Sequence, residues 1–271
     1  MSKCLSEERQ RDSGFRSPDS GCRIPAAKRP YTLAAARIIA FICLALLIPL
    51  FTPSPSPADV FVYDAVAVSG EDVRLKAETR GTVFIRGGEL VEFFVDDVSL
   101  GKNLSGGDGA AYRFYRTSRP GLKDVRAVSR NSIGRGTLLV VKPGSGVVAV
   151  DVEGTLLQGG FMNPGRPGSL QAIEGVSKRH PLIYLQTGDT NVKAVRSWLA
   201  ENEYTAAPLL PWDGGAVFND LAKKGLKIRA VIGGPGVIES AFKHKSQAFS
   251  FEPVKGAARL KNWKELEEKL K

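Results

Sequence analysis

The chain has 271 residues, 43% of them hydrophobic and 24% charged, an ordinary globular balance that leaves room for two modest domains and an extra segment. Its 38 Lys and Arg against 28 Asp and Glu give a net charge of +10, but the basic residues are spread out, with no Arg-and-aromatic stripe to track a phosphate backbone, so a nucleic-acid partner is not expected. The three cysteines, Cys4, Cys22 and Cys43, all fall in the first 43 residues, and the histidines are His180 and His244. That excludes a disulfide framework or cysteine metal site beyond residue 43 and a multi-histidine metal site anywhere.

Residues 1–30 are polar and rich in Ser, Arg and Asp without an apolar period, and read as a disordered cytoplasmic tail. From Leu33 to Phe51 the only charge in 19 residues is Arg37. As a helix this stretch would cross roughly 28 Å, so residues 31–52 are expected to form a transmembrane helix, with Arg37 snorkelling to the headgroups. Seven basic residues precede the span (Lys3, Arg9, Arg11, Arg16, Arg23, Lys28, Arg29), and the next after it is Arg74. The positive-inside rule then puts the N-terminus in the cytoplasm and the rest outside, in the periplasm of a Gram-negative cell. A cleaved signal peptide with Ser56 and Ala58 before the cut is the competing reading; the long n-region and Pro57 oppose it, and export holds in both cases. Residues 53–59 continue as a stiff, proline-rich spacer.

Residues 60–142 contain short β-prone runs separated by Gly-rich turns: Val60–Val68, Val73–Glu78, Leu90–Val95, Ala111–Arg116, Val125–Ser129 and Thr137–Val141. Their spacing predicts a sandwich of about seven strands. The run Leu90-Val91-Glu92-Phe93-Phe94-Val95-Asp96-Asp97, followed by Ser105-Gly106-Gly107-Asp108-Gly109-Ala110-Ala111-Tyr112, resembles bacterial immunoglobulin-like modules, without the cysteine pair of antibody domains. Asp96, Asp97 and Asp108 suit turns better than calcium.

Residues 146–271 open with Gly146-Val147-Val148-Ala149-Val150-Asp151-Val152-Glu153-Gly154-Thr155-Leu156, an apolar run ending in an acid. It reads as a buried parallel strand delivering a carboxylate to the carboxyl edge of an α/β sheet. This resembles the first motif of haloacid-dehalogenase (HAD) phosphohydrolases. The resemblance implies a Rossmann-type parallel sheet with flanking helices, Asp151 as nucleophile and Glu153 as general acid/base. Thr187, after the strand Pro181–Gln186, would hold the phosphoryl group, with Gly154, Thr155 and Gly188 lining the substrate. A lysine, Lys227 or Lys224, would neutralise it. The resemblance further implies Mg²⁺ on Asp151 and acids in a fourth motif, but Gly234 and Ile238 stand at those positions, leaving Glu153 and Glu239 as substitute ligands. The wider pattern is similar to the C-terminal domain of lipin-type phosphatidate phosphatases.

The expectation is therefore a membrane-anchored, extracytoplasmic phosphohydrolase acting on a phosphorylated lipid or small phosphomonoester. The alternative is a catalytically inactive binding or scaffolding protein of the cell envelope with an envelope protein partner. A third reading makes the immunoglobulin-like domain an adhesion module.

Overall fold

The computed structural model describes residues 59–80, 87–158 and 164–270. The tail 1–30, the apolar segment 31–52 and nearly all of the spacer lie outside the described residues.

The first eight strands form two facing sheets. β1 (Asp59–Val62), β3 (Asp72–Arg80) and β6 (Ala110–Arg116) pair antiparallel in the order β1-β3-β6. The second sheet runs β2-β8-β7-β4-β5, from β2 (Ala65–Val68), β8 (Ser132–Val141), β7 (Gly121–Ser129), β4 (Leu90–Val95) and β5 (Val98–Leu104). Alternation drives this packing: along β3, Val73, Leu75 and Ala77 are buried while Arg74 and Lys76 point away. The inward residues meet Val91, Phe93, Val125 and Leu138 in one core. The run Val60–Val68, expected as a single strand, breaks at Tyr63-Asp64 and changes sheets.

After the turn at Pro143-Gly144, six parallel strands follow: β9 (Gly146–Asp151), β10 (Leu182–Gln186), β11 (Leu209–Pro211), β12 (Lys227–Ile232), β13 (Gln247–Ser250) and β14 (Ala258–Arg259). Their order is β11-β10-β9-β12-β13-β14, so the topology reverses beside β9. Five helices connect or flank them: α1 (Ser169–Ser177), α2 (Val192–Glu201), α3 (Ala216–Lys223), α4 (Pro235–Phe242) and α5 (Lys264–Lys269). Val148 and Val150 face α1, α2 and α5; Val147 and Ala149 face α3 and α4.

β8 belongs to both units. Leu138 and Val140 pack into the sandwich core, while Leu139 and Val141 join Val66 and Val68 against Phe218 and Leu221 of α3. Asp64, at the sheet change, ties the seam together. Its carboxylate accepts hydrogen bonds from Thr137 N (2.7 Å), Leu209 N (2.8 Å) and the Arg196 guanidinium (3.0 Å).

The expected fold class needs correction. The described chain is mostly β sheet, with fourteen strands, and its helices run only six to ten residues. No helix among the described residues is long and apolar enough to cross a membrane. Gly168 and Gly215 in the left-handed region cap the starts of α1 and α3, and Pro235 opens α4.

Candidate functional site

β10 and β12 flank β9 on opposite sides, so the chain leaves their carboxyl ends in diverging directions and opens a crevice there. Asp151 ends β9 and is 2% exposed. Its Oδ1 accepts from Gly154 N (2.8 Å) and from Thr187 Oγ1 (2.6 Å); its Oδ2 accepts from Gly234 N (3.0 Å). One carboxylate thus joins the loops after three adjacent strands.

The residues following Asp151 form a single π-helical turn, Val152–Leu156, closed in part by Thr155 Oγ1 donating to the Asp151 carbonyl. Gly154 is required by that turn: a Cβ there would stand 2.1 Å from Asp151 Oδ2. Glu153 reaches across to β10, where its Oε2 accepts from Thr187 N at 3.0 Å. Its Oε1 is buried without a partner. Burial raises the Glu153 carboxyl above its ordinary value, the Thr187 amide opposes this, and the Asp151 charge adds to the rise. Gly188 lies against Glu153, a Cβ on it coming within 3.1 Å of Glu153 Cγ. Asp151, Glu153, Gly154, Thr155, Thr187 and Gly188 therefore do come together, held chiefly by contacts among themselves.

The remaining expected residues do not join them. Lys227 is exposed at the first position of β12, five residues and roughly 16 Å from the end that faces Asp151. Lys224 donates to the Val66 carbonyl (2.9 Å) at the seam. Glu239 is exposed on α4, and Ile238 is fully buried beneath that helix. The Gly234 amide that binds Oδ2 carried no side-chain signal in the sequence.

The group implied by the resemblance is Mg²⁺, which takes near-octahedral geometry from several hard oxygens. Both Asp151 oxygens already accept backbone or hydroxyl donors, and among the described residues no three His, Cys, Asp or Glu side chains cluster. The residues present do not fit the ion.

No protein-family model matches the sequence, and no curated protein does. Solved structures with partial likeness include a protein from Corynebacterium diphtheriae described as membrane anchored, at 17% identity and TM-score 0.29 over 34% of this chain and 23% of that one. The D00-D0 domain of intimin matches at 16% identity and TM-score 0.27, over 34% of this chain and 52% of that one. The fibronectin(III)-like modules of Clostridium thermocellum CbhA match at 14% identity and TM-score 0.23, over 31% and 97%. This chain thus spans well under two thirds of the first two proteins. Scores this low transfer no function.

The structural neighbours are immunoglobulin-like, fibronectin-III-like, CARDB and intimin-type β-domains, with no HAD or phosphatase domain among them. The resemblance to HAD phosphohydrolases and the lipin-type domain, and the hydrolase assignment drawn from it, are accordingly corrected. The geometry gives the physical reason: Asp151 is hydrogen-bonded to the loops after three strands, and the site lacks the lysine and the fourth-motif acids that phosphoryl transfer would use.

Proposed function

We propose that this chain is a non-catalytic binding and scaffolding protein of the cell envelope, working on the outer side of the cytoplasmic membrane. The observation that carries the reading is the state of Asp151. A carboxylate nucleophile needs a lone pair free to meet an incoming phosphorus and a nearby cation to offset the charge it brings. Asp151 has no cation paired with it among the described residues, and three of its roughly four lone-pair positions accept hydrogen bonds from three loops. The second carboxylate, Glu153, lies beside it, so an anion entering the crevice meets two acids. The crevice works as a clasp holding the carboxyl edge of the sheet.

Two features of the sequence support the location: the seven basic residues before the apolar stretch Leu33–Phe51 with none after it until Arg74, and the lack of cysteine beyond residue 43. The β8 strand shared by sandwich and parallel sheet suits a rigid scaffold, since Val66, Val68, Leu139 and Val141 of the sandwich complete one of the parallel sheet's cores.

The test is phosphate release by the purified full-length chain from phosphomonoesters and phosphatidate, with and without magnesium. The expected result is no release above background. Release that is abolished by Asp151→Asn would overturn the reading.

A further inference from the structure

At the amino-terminal edge of the parallel sheet, opposite the Asp151 crevice, lies a cavity of about 610 Å³ lined by Gly144, Gly146, Ala222, Leu226, Lys227, Ile228, Arg229, His244 and Lys245. Its size is that of a small-ligand site. Three of these residues are cations, one is a histidine, and none is acidic.

The backbone aims these groups there. β12 pairs with β9 through Ile228↔Val147 and then Ala230↔Val148, leaving Arg229 as the extra residue of a β-bulge, a device that redirects a side chain. The Arg229 stem lies over the start of β9. A Cβ at Gly146 would come within 3.0 Å of Arg229 Cβ, so glycine makes room for it. Lys227 sits opposite Gly146 in the ladder. Lys245 arrives from the α4–β13 turn in the left-handed region (φ 55°), where a lysine side chain is strained. His244 sets its ring edge against Phe218, with centroids 6.0 Å apart.

Lys227, Arg229 and Lys245 make no ion pair among the described residues. All three are exposed, and like charges lining one cavity make a positive field that draws anions to it. A guanidinium beside two ammonium groups suits a phosphate, which takes paired hydrogen bonds from arginine and point charges from lysine. Leu226, Ala222 and Ile228 supply an apolar wall for the body of the ligand.

We propose that this cleft binds a phosphate-bearing ligand. The proposal deepens the binding-protein reading by naming a ligand class, and places the ligand away from Asp151. It fails on binding, whereas that reading fails on turnover, so the two failures are distinguishable.

The experiment is calorimetric titration of the full-length chain with inorganic pyrophosphate and glycerol phosphate, beside flotation with phosphatidate vesicles in a phosphatidylcholine background. Binding should fall as salt rises and weaken by about tenfold in each of Lys227→Glu and Arg229→Glu. A control, Lys178→Glu just after α1, should bind as the wild type does, and circular dichroism checks that each variant is folded. Binding of the soluble phosphates assigns a free ligand; vesicle binding alone, lost in the same variants, assigns a lipid headgroup. No binding in either arm overturns the proposal. So does binding that survives both charge reversals, falls equally in the control, or is as tight for sulfate as for pyrophosphate.

Discussion

Asp151→Asn keeps the shape of the side chain and changes what it accepts. In the native chain Oδ1 holds two donors and Oδ2 one. An asparagine can present its carbonyl to only one of these sides, and its amide then points hydrogen at hydrogen on the other. In one orientation the Gly234 amide is stranded; in the other the Gly154 amide is, while the Thr187 hydroxyl can turn and accept from the new amide. Hydrogen bonds to a charged acceptor contribute about 1.5–3 kcal/mol each, and a stranded buried donor costs on the same scale, so the expected loss is about 2–4 kcal/mol. For a unit of the size of residues Pro55–Lys271, which pack as one compact body, each kcal/mol lowers Tm by roughly 2–4 °C. Thermal unfolding followed by near-ultraviolet circular dichroism should show a drop of roughly 4–16 °C. Asp151→Ala, which strands all three donors, should fall further. A drop under about 2 °C for both variants, outside the range those losses imply, would refute the clasp and leave Asp151 free for another use.

Three further perturbations follow from the same geometry. Glu153 titrates above its ordinary value in the folded chain, so between that value and the raised one the folded state binds more protons and stability falls as pH rises. Glu153→Gln should flatten this dependence and leave the chain at least as stable at neutral pH, as read from Tm between pH 4 and 8; a variant that is less stable at neutral pH would contradict this. Gly154→Ala forces a methyl into the 2.1 Å gap beside Asp151 Oδ2 and should cost about 1–3 kcal/mol in urea unfolding, with a loss below about 0.5 kcal/mol counting against the tight turn. Asp64→Ala removes the acceptor of two backbone amides and the partner of Arg196 at the seam, and its carboxylate is only 1% exposed. Breaking a buried pair costs about 3–5 kcal/mol, and calorimetry should then resolve the sandwich and the parallel sheet as separate transitions; a single unshifted peak would sink the idea of a shared core.

Part of this arrangement is legible in the residues themselves. The alternation of Val73, Leu75 and Ala77 marks a one-sided strand, and the apolar run into Asp151 with a hydroxyl after the following strand foretells that Asp151 and Thr187 meet. What decides the role of Asp151 is not legible, because Gly234 contributes through its backbone amide, which any residue but proline carries. The break of Val60–Val68 was hidden for a similar reason: every residue there suits a strand, and only the pairing of β2 with β8 shows that the chain changes sheets. Lys227 carried the right charge for a phosphate site but sits at the far end of its strand, a matter of register that composition does not encode. The cleft it lines is assembled from a turn, a bulge and the α4–β13 connection, which are far apart in the chain. Residues 31–52 lie outside the described residues, so the apolar segment is known from its sequence only.

The proposed role of Asp151, a structural acceptor and not a nucleophile, is tested most directly by mass spectrometry of the full-length chain, acid-quenched after incubation with magnesium and a panel of phosphomonoesters. An unmodified peptide carrying Asp151 is the predicted result. A phosphoryl group on that peptide, lost in Asp151→Asn, would contradict the account.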